Sequence, residues 1–185
     1  MNQIILVAGP AGAGKSAVAE AICERFDRML HIEVDLLRGF VKGGYRHPWA
    51  DDPQAAEQRL LAVRSAVAMA RESLALRYAL VIDDVIFAED AGNYREALRG
   101  VGCNVHFVLL LPALETALAR DRGRSAEISA PERVRPLHDD FRQQSDERLL
   151  PGVVIDSTQD ENARLTADRV LDAVASGGAL FIEGG

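Results

Sequence analysis

Lysine is almost missing from this chain of 185 residues. Lys15 and Lys42 are the only two among 21 basic residues, the others being arginines, so a lysine with a chemical task is easy to locate. Cysteine is scarce too. Cys23 and Cys103 lie far apart with no C-x-x-C pair, which supports neither a zinc site nor a disulfide framework and fits a reducing compartment. Positive charge is short: 28 acidic residues against 21 basic ones leave a net charge of −7, so the basic face of a general nucleic-acid binder is not expected. No apolar run approaches the roughly 20 residues that span a bilayer. The opening MNQIILVAG has no basic leader, and its apolar run is short for a signal peptide. A cytoplasmic protein with neither nucleic-acid nor membrane partners is the expectation.

What is present points to one folded domain over residues 1–185. A hydrophobic share of 48% at this length suits a sizeable core. Short β-type runs alternate with stretches of helical period. Strands are expected at Gln3 to Ala8, His31 to Val34, Ala79 to Ile82, Val105 to Leu111 and Val153 to Ile155. Between them, helices are expected after the first glycine-rich turn (Val18, Ile22 and Phe26 on one face), at Leu36 to Val41 and from about Gln54 to Arg77. The longest has a stripe of Leu60, Val63, Val67, Ala70 and Leu74. Further helices are expected near Asp90 to Arg99, from Ala113 to about Asp121, from Pro131, and at Asn162 to Ala175. Five buried strands separated by helices imply an α/β fold, a parallel sheet with helices on both faces. The tail SGGALFIEGG reads either as frayed or as a weak edge strand.

Gly9-Pro10-Ala11-Gly12-Ala13-Gly14-Lys15-Ser16 matches G-x-x-x-x-G-K-[ST], with a buried strand before it and an amphipathic helix through Ala17 after it. Such glycines let successive backbone N–H groups converge on one concavity, and the helix N-terminus adds partial positive charge. In this motif the lysine reaches the β- and γ-phosphates and the hydroxyl ligates Mg²⁺. A nucleoside triphosphate and Mg²⁺ are therefore the expected cofactors.

Ligands of a doubly wound sheet bind outside the carboxyl ends of its strands. Asp35 ends the second predicted strand, and Asp83 and Asp84 end the third. One of the latter pair suits the water shell of the metal; the pattern does not say which. Asp35 suits the acceptance of a proton from an attacking hydroxyl, although an Asp there also serves as an ordinary helix N-cap. Arg38 would share its face and could hold a polar substrate group, or simply lie in solvent.

Arg120, Arg122 and Arg124, with Arg133 and Arg135 beyond, suit a lid over about 120–135 whose guanidinium groups neutralise phosphate charge, or else a salt-bridged surface. Asp156-Ser157-Thr158 follows the fifth strand and reads as a turn against a nucleotide base or a cap for the last helix. Trp49, the only tryptophan, sits in a loop where it either stacks on a substrate or anchors the loop.

The blocks GPAGAGKS, VDLLRGF, LVIDDVIF, ETALARDRGR and VVIDST, in that order and spacing, resemble the small P-loop kinases of the nucleoside-monophosphate-kinase-like group, which includes shikimate and gluconate kinases. VIDDVIF looks most like the chloramphenicol phosphotransferase-like proteins. The resemblance implies a three-layer P-loop NTPase fold with a five-stranded parallel sheet in the order 2-3-1-4-5. It also implies a substrate flap over about 36–53 and an arginine lid after strand four. By position it makes Asp35 the catalytic base, Arg120 and Arg124 lid arginines, and Asp156 to Thr158 the region near adenine. Asp35-Leu36-Leu37-Arg38 further resembles the D-x-L-R segment of adenylate kinases, but Asp84-Val85-Ile86-Phe87 replaces their Gly-Phe-Pro-Arg. The expected activity is transfer of the ATP γ-phosphoryl group to a hydroxyl of a small molecule, a metabolite or an antibiotic. Lys15, Asp35, Arg120 and Arg124 would be catalytic, and Asp35, Arg38 and Asp84 would face the acceptor. A nucleoside monophosphate kinase, a non-transferring ATP-binding switch and a polynucleotide-end kinase are the rivals; the last is disfavoured by the acidic balance.

Overall fold

The computed structural model describes residues 2–123 and 131–184. Strand β1 (Gln3–Ala8) is followed by α1 (Lys15–Cys23), β2 (Met29–Glu33), the short α2 (Val34–Arg38) and the long α3 (Pro53–Ala75). Then come β3 (Ala79–Asp84), α4 (Ala88–Ala97), β4 (Asn104–Leu110), α5 (Leu114–Arg122) and α6 (Pro131–Asp146). The chain finishes with β5 (Val153–Ile155), α7 (Ala163–Ala175) and β6 (Leu180–Ile182). The parallel strands run in the order β2-β3-β1-β4-β5, as expected.

The sheet has six strands rather than five. β6, formed by the ambiguous tail, pairs antiparallel with the start of β4 through Val105 and His106, while β5 pairs with its end through Val108 to Leu110. Phe181 explains why the tail does not fray: it is buried, and it meets the Phe107 ring at 5.8 Å.

Side chains of a strand alternate between faces, and both faces here are covered. Ile4, Leu6, Leu80, Ile82, Phe107 and Leu109 pack with α3 and α4, whereas Ile5, Val7, Val81, Val108 and Leu110 pack with α1 and α7. Each such side chain contributes about 1.5–3 kcal/mol of burial. On α3 the buried stripe is built on Ala62, Val63, Ala66, Val67 and Ala70, with Leu60 only partly covered, because small residues let the helix approach the sheet closely. That the core is buried on both faces leaves the carboxyl ends of β1, β3 and β4 as the place where polar groups can gather. Register sets Ala8 beside both Asp84 and Leu109, so the loop leaving β1 emerges between the ends of its two neighbours.

Candidate active site

The loop after β1 forms a cradle. Gly12 has φ 74°, and a Cβ there would lie 2.2 Å from the carbonyl oxygen of Ala117; one at Gly9 would lie 2.5 Å from that of Leu110. The loop thus packs backbone to backbone against the β4–α5 segment, which only glycine permits. Gly14, at φ 90°, is the N-cap of α1. Ala13 N–H donates to the Pro10 carbonyl at 3.2 Å, and the Lys15 ammonium bends back to the same oxygen at 3.1 Å.

Two hollows flank this loop. A cleft of about 370 Å³ is lined by Gly12, Ala13, Gly14, Ser16, Ala17 and Arg120, and closed at its far end by Asp160, Glu161 and Asn162. Arg120 reaches across it from α5. Its guanidinium donates to the Ser157 hydroxyl at 3.1 Å, to the Ser157 carbonyl at 2.9 Å and to the Ala13 carbonyl at 3.3 Å. Asp156 and Thr158 hold each other: the carboxylate accepts from the Thr158 N–H at 2.9 Å and from its hydroxyl. Thr158 Oγ1 in turn accepts from Ala113 N–H at 2.6 Å, tying the end of β5 to the end of β4. Those hydrogen bonds lower the Asp156 carboxyl below its ordinary value. The N-cap of α7 is Asn162, not this turn. Sequence reasoning missed the part of Asp160 to Asn162, whose only signal was their place just before that cap.

A second hollow, about 430 Å³, lies on the other side of the loop. Ala11, Asp35, Arg38, Trp49, Phe87 and Leu137 contribute to its wall. Arg59, Glu89, Asp90, Asp121 and Arg133 add charges that sequence reasoning had not assigned to a substrate site. They come from α3, α4, α5 and α6, and no spacing along the chain links them. Asp90 is held above the ordinary carboxylate range by burial, against the pull of Arg59 and Arg38.

The three strand-end carboxylates differ in their surroundings. The second strand ends earlier than expected, at Glu33, and Glu33 is the N-cap of α2. Asp35 therefore sits inside the first turn and does not cap the helix. Its carboxylate is largely exposed and accepts from Arg38 Nη1 at 2.6 Å. Arg38 is 90% covered, and the same nitrogen lies 2.7 Å from Asp84 Oδ1. Asp84 also accepts from the Tyr94 hydroxyl at 3.0 Å and from Val85 N–H at 2.7 Å. Burial pushes the Asp84 carboxyl up while the Arg38 guanidinium draws it down. Burial would lower Arg38, but Asp84 and Asp35 together hold its charge firmly in place.

Asp83 lies on the opposite face of β3, 3.4 Å from His31 Nε2, and its buried Oδ2 has no hydrogen-bond partner. Burial lowers His31, but the negative charge of Asp83, with Glu33 and Glu20, outweighs it and raises the imidazole. Among the described residues no cluster of three or more His, Cys, Asp or Glu side chains is suited to a metal ion. Mg²⁺ in phosphate sites takes one or two protein ligands, phosphate oxygens and water. Ser16 at the start of α1, with Asp83 as an unsatisfied acceptor for a metal-bound water, fits that chemistry.

Arg124 and the middle of the expected lid lie outside the described residues. Arg122 falls in the last turn of α5, and Arg133 and Arg135 on α6. Arg135 lies 4.0 Å from Glu115 with both side chains exposed. His138 is buried on the Pro112 carbonyl at 2.8 Å, and His106 is a packed core residue, lowered by burial. Among the described residues no helix is long and apolar enough to cross a membrane.

The model of the AAA_33 family, described as an AAA domain, matches residues 4–146. No curated protein matches the sequence. Among solved structures, the tunicamycin resistance protein of Deinococcus radiodurans is 22% identical with a TM-score of 0.65, over 98% of this chain and 99% of that one. Shikimate kinase from Acinetobacter baumannii, solved with shikimate, is 25% identical with a TM-score of 0.57 over 96% and 94%. A gluconokinase from Sinorhizobium meliloti 1021 is 19% identical with a TM-score of 0.68 over 95% and 93%.

Proposed function

Because the chain belongs to the AAA_33 family and has the fold of the small P-loop kinases, we propose that it is an ATP- and Mg²⁺-dependent phosphotransferase. It moves the γ-phosphoryl group of ATP to a hydroxyl of a small molecule, a metabolite or an antibiotic. One observation carries this reading: the nucleotide cleft and the second hollow share the glycine loop as a wall, with Gly12 to Ala17 lining one and Ala11 the other. A triphosphate lying in the cradle ends next to the hollow that contains Asp35.

The roles follow from chemistry. Lys15 leaves the Pro10 carbonyl to meet the β- and γ-phosphates, and Arg120 holds the α5 side of the cleft closed over them. Ser16 would hold Mg²⁺ directly and Asp83 would support it through water; the ion supplies neutralisation of the β- and γ-oxygens. Asp35 orients the acceptor hydroxyl and takes its proton at a carboxylate oxygen. Arg38 holds that carboxylate at the floor of the hollow. The nucleotide-kinase alternative needs Arg38 for an acceptor phosphate, whereas its Nη1 is shared by Asp35 and Asp84.

The test is ADP release from Mg·ATP against a panel of hydroxyl-bearing antibiotics, sugars, sugar acids and nucleotides. An acceptor should stimulate release. Asp35→Asn should reduce it by about 10²–10⁴-fold, the usual contribution of a positioned base, with ATP affinity unchanged. Equal turnover by the variant would remove Asp35 from the mechanism, and failure to bind ATP would sink the reading as a whole.

A further inference from the structure

Helix α3 buries one side against the sheet and turns the other outward. Leu61, Ala68 and Ala75 follow one another at seven-residue intervals, so they share one line along its exposed side. Leu61 is 52% exposed, and Met69 and Leu76, beside the same line, are 42% and 68% exposed. Next to the first half of the helix, α2 and α3 leave a hollow of about 180 Å³ walled by Phe40, Gln58, Leu61 and Ser65. Phe40 is itself 73% exposed. Covering these apolar side chains would be favourable, at about 25 cal/mol per Å².

The charges on this face say what covers it. Arg64 and Glu72 stand there, four residues before and four residues after Ala68. Both are exposed, and among the described residues neither makes a hydrogen bond or an ion pair. They cannot meet each other, being about 12 Å apart along the helix at 1.5 Å per residue. A second copy laid antiparallel across the first, with the two-fold axis through Ala68, sets each Arg64 opposite the partner's Glu72. The same operation sets Leu61 against the partner's Ala75 and brings the two Ala68 residues together. Large faces small at both ends, and alanine at the centre admits the close approach of packed helices, about 8–10 Å. At 3.6 residues per turn, Gln58, Ser65 and Leu76 fall on one side of the line, and the two-fold preserves that side. Leu76 therefore reaches the level of Leu61 and Gln58 on the partner, over the hollow. A parallel arrangement would oppose Arg64 to Arg64 and Glu72 to Glu72, which charge disfavours.

We propose that the outer face of α3 is a homodimer interface. Two antiparallel copies of the helix meet at Ala68, two Arg64–Glu72 pairs fix their register, and each Leu76 seats in the α2–α3 hollow of the other copy. The strip is one helix wide, less than the roughly 800 Å² per partner of a standard interface, so association falls in the micromolar range.

Sedimentation velocity of the full chain over about 1–200 μM should show a reversible monomer–dimer equilibrium with a Kd of about 1–100 μM. Arg64→Glu and Glu72→Arg each turn two attractions into two like-charge contacts, and each should weaken the dimer at least about tenfold. Together they restore opposite charges across the axis, so the double variant should return to within about threefold of the parent. Ala68→Arg sets two guanidinium groups on the axis and should leave only monomer. All three positions are exposed and the new residues are good helix formers, so thermal melts of the dilute variants should stay close to the parent. Monomer at every concentration would overturn the proposal and leave the face to a different protein. A dimer that survives Ala68→Arg, or ignores the single charge reversals, would overturn it as well, because the copies would then meet elsewhere. A double variant no better than either single one would overturn the antiparallel register.

Discussion

Removing Arg38 tests the strand-end network quantitatively. The guanidinium is one-tenth exposed and bridges Asp35 and Asp84, and the Asp84 side chain is 1% exposed. Arg38→Ala leaves that carboxylate buried with only the Tyr94 hydroxyl and Val85 N–H as partners. Breaking one side of a buried pair costs about 3–5 kcal/mol. At about 2–4 °C per kcal/mol for a domain of this size, melting should fall by roughly 6–20 °C. The loss should depend on pH, and its sign is fixed. Burial already raises Asp84, and without Arg38 its folded pKa rises further above the unfolded one. A raised carboxylate destabilises the fold at pH above its folded pKa, and that penalty disappears as pH falls to the unfolded value. The deficit of Arg38→Ala relative to the parent should therefore be larger at pH 8 than at pH 5 in thermal melts followed by circular dichroism. Adding Asp84→Asn to Arg38→Ala should recover part of the stability and flatten the pH dependence. A loss below about 1 kcal/mol, the scale of a surface ion pair, or one that is the same at both pH values, would refute the reasoning.

Two further outcomes follow from the cradle. Gly12→Ala sets a Cβ 2.2 Å from the Ala117 carbonyl at a φ of 74°, so it should shift the loop and abolish ATP binding measured by calorimetry; unchanged affinity would show that the loop is not rigid there. Arg120→Ala removes three hydrogen bonds across the cleft. It should weaken ATP binding by at least about tenfold, as charged hydrogen bonds are worth about 1.5–3 kcal/mol each, and a smaller change would confine Arg120 to a structural role.

The phosphate cradle was legible before any fold was known, because its chemistry is local: three glycines, one lysine and one hydroxyl lie within eight consecutive residues, and backbone conformation does the rest. The parallel strands were legible for a similar reason, since burial on both faces writes continuous apolar runs such as Ile4 to Ala8. The tail was not. Leu180 to Ile182 is too short to declare a strand, and only the unpaired edge at the start of β4 makes it one. Asp35 could also be read as a helix cap until the strand was seen to stop at Glu33, which takes that position itself. The different surroundings of Asp83 and Asp84 were also hidden: adjacent strand residues face opposite ways, but which way depends on the register of the whole sheet. The second hollow depended most on tertiary structure. Trp49, Arg59, Asp90 and Arg133 come from one loop and three helices, and long-range packing alone brings them together. The sequence by itself determined the glycine loop proposed to cradle phosphate, since a backbone turn needs only its own residues; only the tertiary structure decided what stands opposite that loop, since the side chains of the second hollow meet nowhere but in space.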